Sequence, residues 1–312
     1  MFLYLNGIYK YEEDIIYFFK NKKNIKNLKN KIFVGAPGTG KSYKINQLVD
    51  NNPNYISEKI VFHPEYDYND FVGTIKPNID NDESNKLYEF YPGPFTRLLK
   101  QAIQNKNQQY YLIIEEMTRG NCSAIFGNIF QLLDRGYRIN DEYISKYVYQ
   151  GTENDINDPI YLPDNFHILG TINSSDQNVY PLDTAFKRRF DFEYIDVEEN
   201  KENISDFSIC GIKWKDLYMQ INNFIINELE LEEDKQVGPF FIKEDDNINK
   251  LFIYLWEDVN RYCDHEKLFN ENIKSLSQLL KKVNDKNVDI KEIFNQKMFN
   301  KEESDTSNDK NN

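Results

Sequence analysis

Short apolar runs alternate with segments of helical period from residue 31 to about residue 197. The runs at 31–34, 59–62, 110–114, 166–171 and 192–197 read as strands, and the segments 41–49, 94–104, 122–134 and 183–188 read as helices. Buried apolar strands need cover on both faces, and helices alternating with them supply it, so the pattern predicts a parallel α/β sheet. The stretch 136–164 is polar with Tyr and Ile in alternation, which predicts a hairpin and loop on the sheet. Ahead of the first strand, Ile15, Phe18, Phe19 and Ile25 fit one face of a short amphipathic helix. After residue 197 the period changes. KDLYMQINNFIINELELEED and NINKLFIYLWEDVNRYCDHEKL carry apolar residues at helical spacing, which predicts a smaller, mostly helical domain. The end, KEESDTSNDKNN, has no apolar residue and is expected to be disordered. The expected organisation is a lead-in at 1–30, an α/β domain at 31–197, a helical domain at 198–298 and a tail at 299–312.

Composition adds bounds. The 312 residues are 40% hydrophobic and 15% aromatic, enough for one large core and a smaller one. The excess of Asn, Lys, Ile and Tyr reads first as coding bias. A net charge of −13 argues against gripping nucleic acid by bulk electrostatics, because neutralising phosphates needs clustered Lys and Arg. Cys122, Cys210 and Cys263 form no C-x-x-C pair, so neither a disulfide framework nor a structural zinc site follows. Free thiols in a reducing cytoplasm are expected. His63, His167 and His265 are scattered and read as structural. No run approaches the ~18 apolar residues of a membrane span. The start, MFLYLNGIYKYEEDIIYF, lacks the basic region of a signal peptide.

The chemistry centres on GAPGTGKS, a G-x-x-x-x-G-K-[ST] phosphate loop placed after the apolar run KIFV and before a helix. Gly35, Ala36, Pro37, Gly38, Thr39, Gly40, Lys41, Ser42 and Tyr43 are the expected nucleotide contacts. The loop's backbone N–H groups and the helix dipole favour phosphate, Lys41 reaches the β- and γ-phosphates, and Ser42 holds Mg²⁺. YYLIIEE at 110–116 supplies an apolar strand ending in two acids. Glu115 stands where a carboxylate helps hold Mg²⁺. Glu116 stands where one orients or deprotonates the attacking water. Neighbouring residues of an extended strand end point to opposite faces, which allows the two roles. HILGTINSSD ends a buried strand in Asn173, placed to hydrogen-bond the lytic water or the γ-phosphate. DTAFKRRFDF places Arg188 and Arg189 at a helix end. Only seven of the 38 basic residues are arginine, so two in succession suggest a need for the guanidinium fork, as in an arginine finger offered to a neighbouring subunit.

In this order, GAPGTGKS, LIIEEMTRGNCSAIFGNIFQLLD, GTINSSD and PLDTAFKRRFDF resemble the AAA+ ATPase superfamily. More narrowly they are similar to its McrB-like branch, the motor subunit of the McrBC modification-dependent restriction system. FHPEYDYNDFVGTIKP (62–77) and YPGPFTRLLKQA (91–102) resemble that branch's stretches after the second strand and before the third, and VGPFFI (237–242) the segment opening its small domain. The resemblance covers residues 31–266. It implies a five-stranded parallel sheet of order 5-1-4-3-2 with a smaller C-terminal helical lid domain. It further implies a homo-oligomeric ring, a hexamer, with ATP or GTP at each interface, Mg²⁺ as cofactor, and a McrC-like nuclease subunit as partner. DNA is then met only through the assembly. By position, Lys41 and Ser42 become Walker A, Glu115 and Glu116 Walker B, Asn173 sensor 1, and Arg188 and Arg189 the finger candidates.

The sequence departs from that pattern at Glu115, where Asp is usual, and at Gln177, where an Arg often follows. Arg261 is the nearest candidate for sensor 2. Thirty leading residues are too few for the DNA-reading domain that the family's motor often carries. Two other readings stay open on the residues: a MoxR-like or dynein-related ATPase that remodels a protein client, and a nucleotide-gated scaffold with little turnover. No residue selects adenine or guanine.

Overall fold

The computed structural model describes residues 30–50, 52–78, 87–176, 179–199, 204–244, 246–263, 267–285 and 288–299. The expected lead-in helix, Gln177, His265 and the tail from residue 300 lie outside them. Strand β1 (Asn30–Gly35) runs into helix α1 (Lys41–Val49), followed by β2 (Tyr55–Val61). The short α2 (Tyr68–Phe71) precedes an antiparallel hairpin of β3 (Gly73–Pro77) and β4 (Tyr88–Pro92). Then come α3 (Pro94–Gln104), β5 (Gln109–Glu115), α4 (Cys122–Phe126), α5 (Glu142–Tyr149), β6 (Phe166–Asn173), α6 (Thr184–Lys187) and β7 (Asp191–Tyr194).

Five of these strands form one sheet in the order β2-β5-β6-β1-β7. The labels differ from the expected order because the hairpin β3–β4 is inserted between the second and third sheet strands. Counted over the sheet strands alone, the same succession reads 5-1-4-3-2 from the β7 edge. β2 pairs parallel with β5, and β5 with β6, in the register Lys59↔Ile113 and Leu112↔Ile168. From Tyr110 to Ile114 every side chain of β5 is buried, as expected of a strand covered on both faces. Tyr55, Tyr111 and His167 make an aromatic row across the three strands, with ring centroids 5.2 and 4.8 Å apart.

Two expectations are corrected. The stretch 136–164 is not a hairpin: residues 142–149 form α5, and among the described residues the stretch carries the isolated bridge Ile139↔Ile160 rather than a ladder. Asp141 caps the Ile144 N–H, Lys146 pairs with Glu142 one turn before it, and Ile144, Ser145, Val148 and Tyr149 share the buried face. A cap and a helical stripe outweigh the Tyr and Ile alternation. The helix expected at 122–134 stops at Phe126 and continues as a 3-10 turn over Gly127–Leu133. Gly127 takes φ 46, and a Cβ there would lie 2.8 Å from the Tyr68 ring, so both conformation and space demand glycine.

The described residues fall into two compact units. One lies within Met1–Phe33, Ser42–Ile172 and Gln177–Glu193, the other within Val34–Lys41, Asn173–Asp176 and Tyr194–Asn312. The second is built on α7 (Trp214–Asn227), whose Trp214, Leu217, Tyr218, Ile221 and Ile225 recur at helical spacing and are all buried. They share a core with Leu251 and Phe252 of α8 (Asn249–Tyr254) and Leu279 of α9 (Leu276–Val283). No helix among the described residues is long and apolar enough to cross a membrane.

Candidate functional site

The phosphate loop closes around its own lysine. Gly38 and Gly40 take φ of 78 and 93, which lets the chain fold back between β1 and α1. Lys41 is buried, and its ammonium donates to the carbonyls of Gly35 and Ala36 at 2.9 Å each. Thr39 is fully buried, and its hydroxyl donates to Ala36 O at 3.0 Å. A phosphate oxygen, carrying net negative charge, would attract this ammonium more strongly than the dipole of a carbonyl does. Tyr43 is exposed, with its hydroxyl accepting from Gln47 at 2.8 Å.

A segment of the C-terminal part is seated on this loop within the same compact unit. The N–H of Gly238 donates to Pro37 O and that of Phe240 to Gly38 O, both at 2.8 Å. The approach is so close that a Cβ on Gly238 would lie 2.2 Å from Gly38 C, and one on Gly38 would lie 2.5 Å from Phe241 N. The segment is anchored behind. Asn222 of α7 both donates to Val237 O and accepts from Val237 N at 2.8 Å, and Trp214 Nε1 donates to Pro239 O at 2.7 Å. The Phe241 ring packs 4.9 Å from that of Tyr254. Residues 237–241 therefore act as a strap. The sequence marked VGPFFI as a segment but not its seat, because the seat is made by backbone N–H groups.

The two acids leave the strand differently. β5 ends at Glu115, whose side chain lies 3.3 Å from Lys59 Nζ and whose carbonyl accepts from Phe62 N at 3.0 Å. Glu116 is not extended, as alternation along a strand requires; it takes φ 56, the left-handed region, which costs a non-glycine residue roughly 1–2 kcal/mol. Its N–H donates to Thr171 Oγ1 of β6 at 3.2 Å, a tertiary contact that helps hold the turn. Its carboxylate pairs with Arg119 at 3.3 Å. Non-glycine residues held at such angles cluster at functional sites. Arg119 and Lys59 are the charged neighbours that sequence reasoning missed. The signal for Arg119 was present, as one of few arginines and three residues beyond the acid.

At the end of β6, Asn173 is half-buried, and the next residue ties this strand end to the phosphate loop: Ser174 N donates to Gly35 O at 3.2 Å. The structure separates the arginine pair. Arg189 is engaged internally, with Asp134 at 2.6 Å, Ala185 O at 2.9 Å and the Phe130 ring 4.1 Å below its guanidinium. Arg188, at the C-terminus of α6, is exposed. Arg261 is exposed on the 3-10 turn Asn260–Tyr262. Cys122 and Cys263 are buried, and burial pushes the Cys122 thiol up to about 12.

A glycine loop joining a sheet strand to a helix, its lysine drawn into the loop, and acids closing another strand of that sheet define a P-loop nucleoside triphosphatase. The chain belongs to the family described as AAA domain (dynein-related subfamily), which matches residues 30–190. It is 35% identical to the type II restriction enzyme BsuMI component YdiS of Bacillus subtilis (strain 168), with 81% of this chain and 85% of that one covered. It is 30% identical to the type IV methyl-directed restriction enzyme EcoKMcrB subunit of Escherichia coli (strain K12), over 54% of this chain and 35% of that one.

Proposed function

We propose that this chain is the nucleotide-hydrolysing motor of a restriction system, working as a homo-oligomeric ring, a hexamer, in the cytoplasm with a McrC-like nuclease subunit. DNA is met through that assembly. Lys41 holds the β- and γ-phosphates of ATP or GTP. Ser42 and Glu115 offer a hydroxyl and a carboxylate, the hard oxygen donors that suit Mg²⁺, which prefers one or two protein ligands alongside water and phosphate. Bound there, the ion supplies charge neutralisation of the phosphates. Glu116 orients or deprotonates the attacking water, and Asn173 hydrogen-bonds that water or the γ-phosphate. Arg188 is the finger for the neighbouring subunit's nucleotide, and Arg189 is its internal anchor.

The observation that carries the ring is the division of labour in that pair. One guanidinium is tied to Asp134 and Phe130, and the next is left at the surface in a chain that uses arginine sparingly. The restriction role draws on the 35% identity to a restriction-enzyme component over most of both chains. The test is Mg²⁺-dependent phosphate release, alone and with the nuclease subunit, with ATP and GTP in competition. Lys41→Ala and Glu116→Gln abolish it, and Arg188→Ala subunits poison mixed rings. Wild-type protein that releases no phosphate under either condition sinks the reading.

A further inference from the structure

The turn after β5 places a guanidinium on the acid that ends it. Arg119 Nε lies 3.3 Å from Glu116 Oε2. Met117–Arg119 is a single 3-10 turn, and residues three apart eclipse in such a turn, which brings the Arg119 side chain back over Glu116. The turn is pinned from several sides. Glu116 N donates to Thr171 Oγ1, Cys122 Sγ to Met117 O at 3.1 Å, and Tyr180 N to Thr118 O at 2.7 Å. Gly120, which closes it, sits where a Cβ would meet Ile125 Cδ1 at 2.7 Å. The backbone is thus fixed by contacts that do not involve the ion pair, so the pair is not required to shape the turn. Lys is the default basic residue of this chain, and an arginine here supplies directional N–H donors that an ammonium does not.

We propose that Arg119 is a positioning residue for hydrolysis, fixing the orientation of the Glu116 carboxylate through Nε. This rests on the reading of Glu116 as the group that handles the attacking water. A carboxylate accepts more than one donor, so guanidinium and water are held by the same group. Arg119 does not touch the nucleotide in this scheme; it acts through Glu116.

The test is steady-state hydrolysis by the full chain over a range of nucleotide concentrations, comparing wild type, Arg119→Met, Arg119→Lys and Glu116→Gln, with melting curves to confirm folding. Glu116→Gln is expected to lose turnover. Arg119→Met is expected to lower kcat several-fold with little change in KM. Arg119→Lys keeps the charge and restores kcat in part, to a value below wild type because the directional contact is gone. If Glu116→Gln is dead and Arg119→Met matches wild type in kcat, the inference is wrong and the base assignment stands. Equal losses in the Met and Lys variants, or a loss carried by KM rather than kcat, also overturn it, since neither is the pattern of a positioned carboxylate. Glu116→Gln with normal turnover overturns the base assignment and the inference together. Arg119→Met subunits that poison wild-type rings overturn it by placing the residue in trans.

Discussion

Gly238→Ala is the sharpest perturbation of the phosphate loop available outside it. The new methyl would lie 2.2 Å from Gly38 C, 2.3 Å from Thr39 N and 2.4 Å from Gly38 O. All three are backbone atoms, so no side-chain rotation relieves the clash. Carbon contacts settle near 3.5 Å, so strap and loop must separate by about 1 Å. Two hydrogen bonds, Gly238 N to Pro37 O and Phe240 N to Gly38 O, then lengthen past useful range. At about 0.5–1.5 kcal/mol net each, their loss is worth about 1–3 kcal/mol. An opposing effect exists, since alanine restricts the unfolded chain and stabilises by about 0.4–1 kcal/mol where its conformation is tolerated. The steric effect wins because the clash is with backbone and the two bonds go together. If nucleotide binding must first restore the loop, affinity falls roughly 5- to 150-fold. Titration with a fluorescent triphosphate analogue measures this, alongside thermal melting without nucleotide. A variant that binds as tightly as wild type and melts at the same temperature would refute the seating of the strap on the loop.

Three further outcomes follow from the same contacts. Asn222→Leu leaves both the N–H and the carbonyl of buried Val237 unpaired, which costs roughly 2–6 kcal/mol in urea unfolding. Asn222→Asp, which keeps the acceptor, falls between it and wild type. Arg189→Met loses the Asp134 pair and the stacking over Phe130 and destabilises by about 1–3 kcal/mol, whereas Arg188→Met stays within about 0.5 kcal/mol; paired melting curves decide. Glu193 of β7 binds Lys31 at 2.8 Å and also Lys44 of α1. Burial alone would raise its carboxyl, but the two lysines outweigh burial and hold it below the ordinary carboxylate value of 4.5. The unfolded chain therefore binds the proton more readily, and the contribution is complete above that ordinary value and lost as pH falls through the lowered one. The stability gap between wild type and Glu193→Gln, measured by urea unfolding, is predicted at neutral pH and should close as pH falls well below the ordinary carboxylate value.

The parts legible in the sequence are those whose chemistry fixes both residue type and spacing. A phosphate loop needs glycines, a lysine and a hydroxyl in a set order, and the strands around it show as apolar runs. The observed α1 and α3 carry the bounds read from the sequence, 41–49 and 94–104. What escaped was decided by contacts remote in sequence. Nothing local marks Glu116 for a left-handed angle, since that turn leans on Thr171, fifty-five residues away. Nothing local divides Arg188 from Arg189 either. The division comes from Asp134 and Phe130, on the 3-10 turn after α4 and just past it. The alternation at 136–164 misled because Tyr and Ile suit a strand as well as one face of a short capped helix, and the cap at Asp141 was the better signal.

The strap changes how the phosphate loop itself should be understood. A loop of this kind is usually pictured as belonging to the sheet that carries it, yet Val34–Lys41 and Asn173–Asp176 cluster with the C-terminal helices. The hydrogen bonds give the reason. Pro37 and Gly38 accept from the strap, Gly35 accepts from Ser174, and the strap hangs from α7 through Asn222 and Trp214. Substitutions at Asn222 or Trp214, which are not among the expected nucleotide contacts, should therefore weaken nucleotide binding as well as stability. The carboxylates of Glu115 and Glu116 belong to the other unit, where Lys59 and Arg119 hold them. Under the proposed roles of Lys41 and Glu116, grip and hydrolysis rest on separate sets of contacts. A strap variant should lose affinity before it loses turnover at saturating nucleotide, and an Arg119 variant should do the reverse.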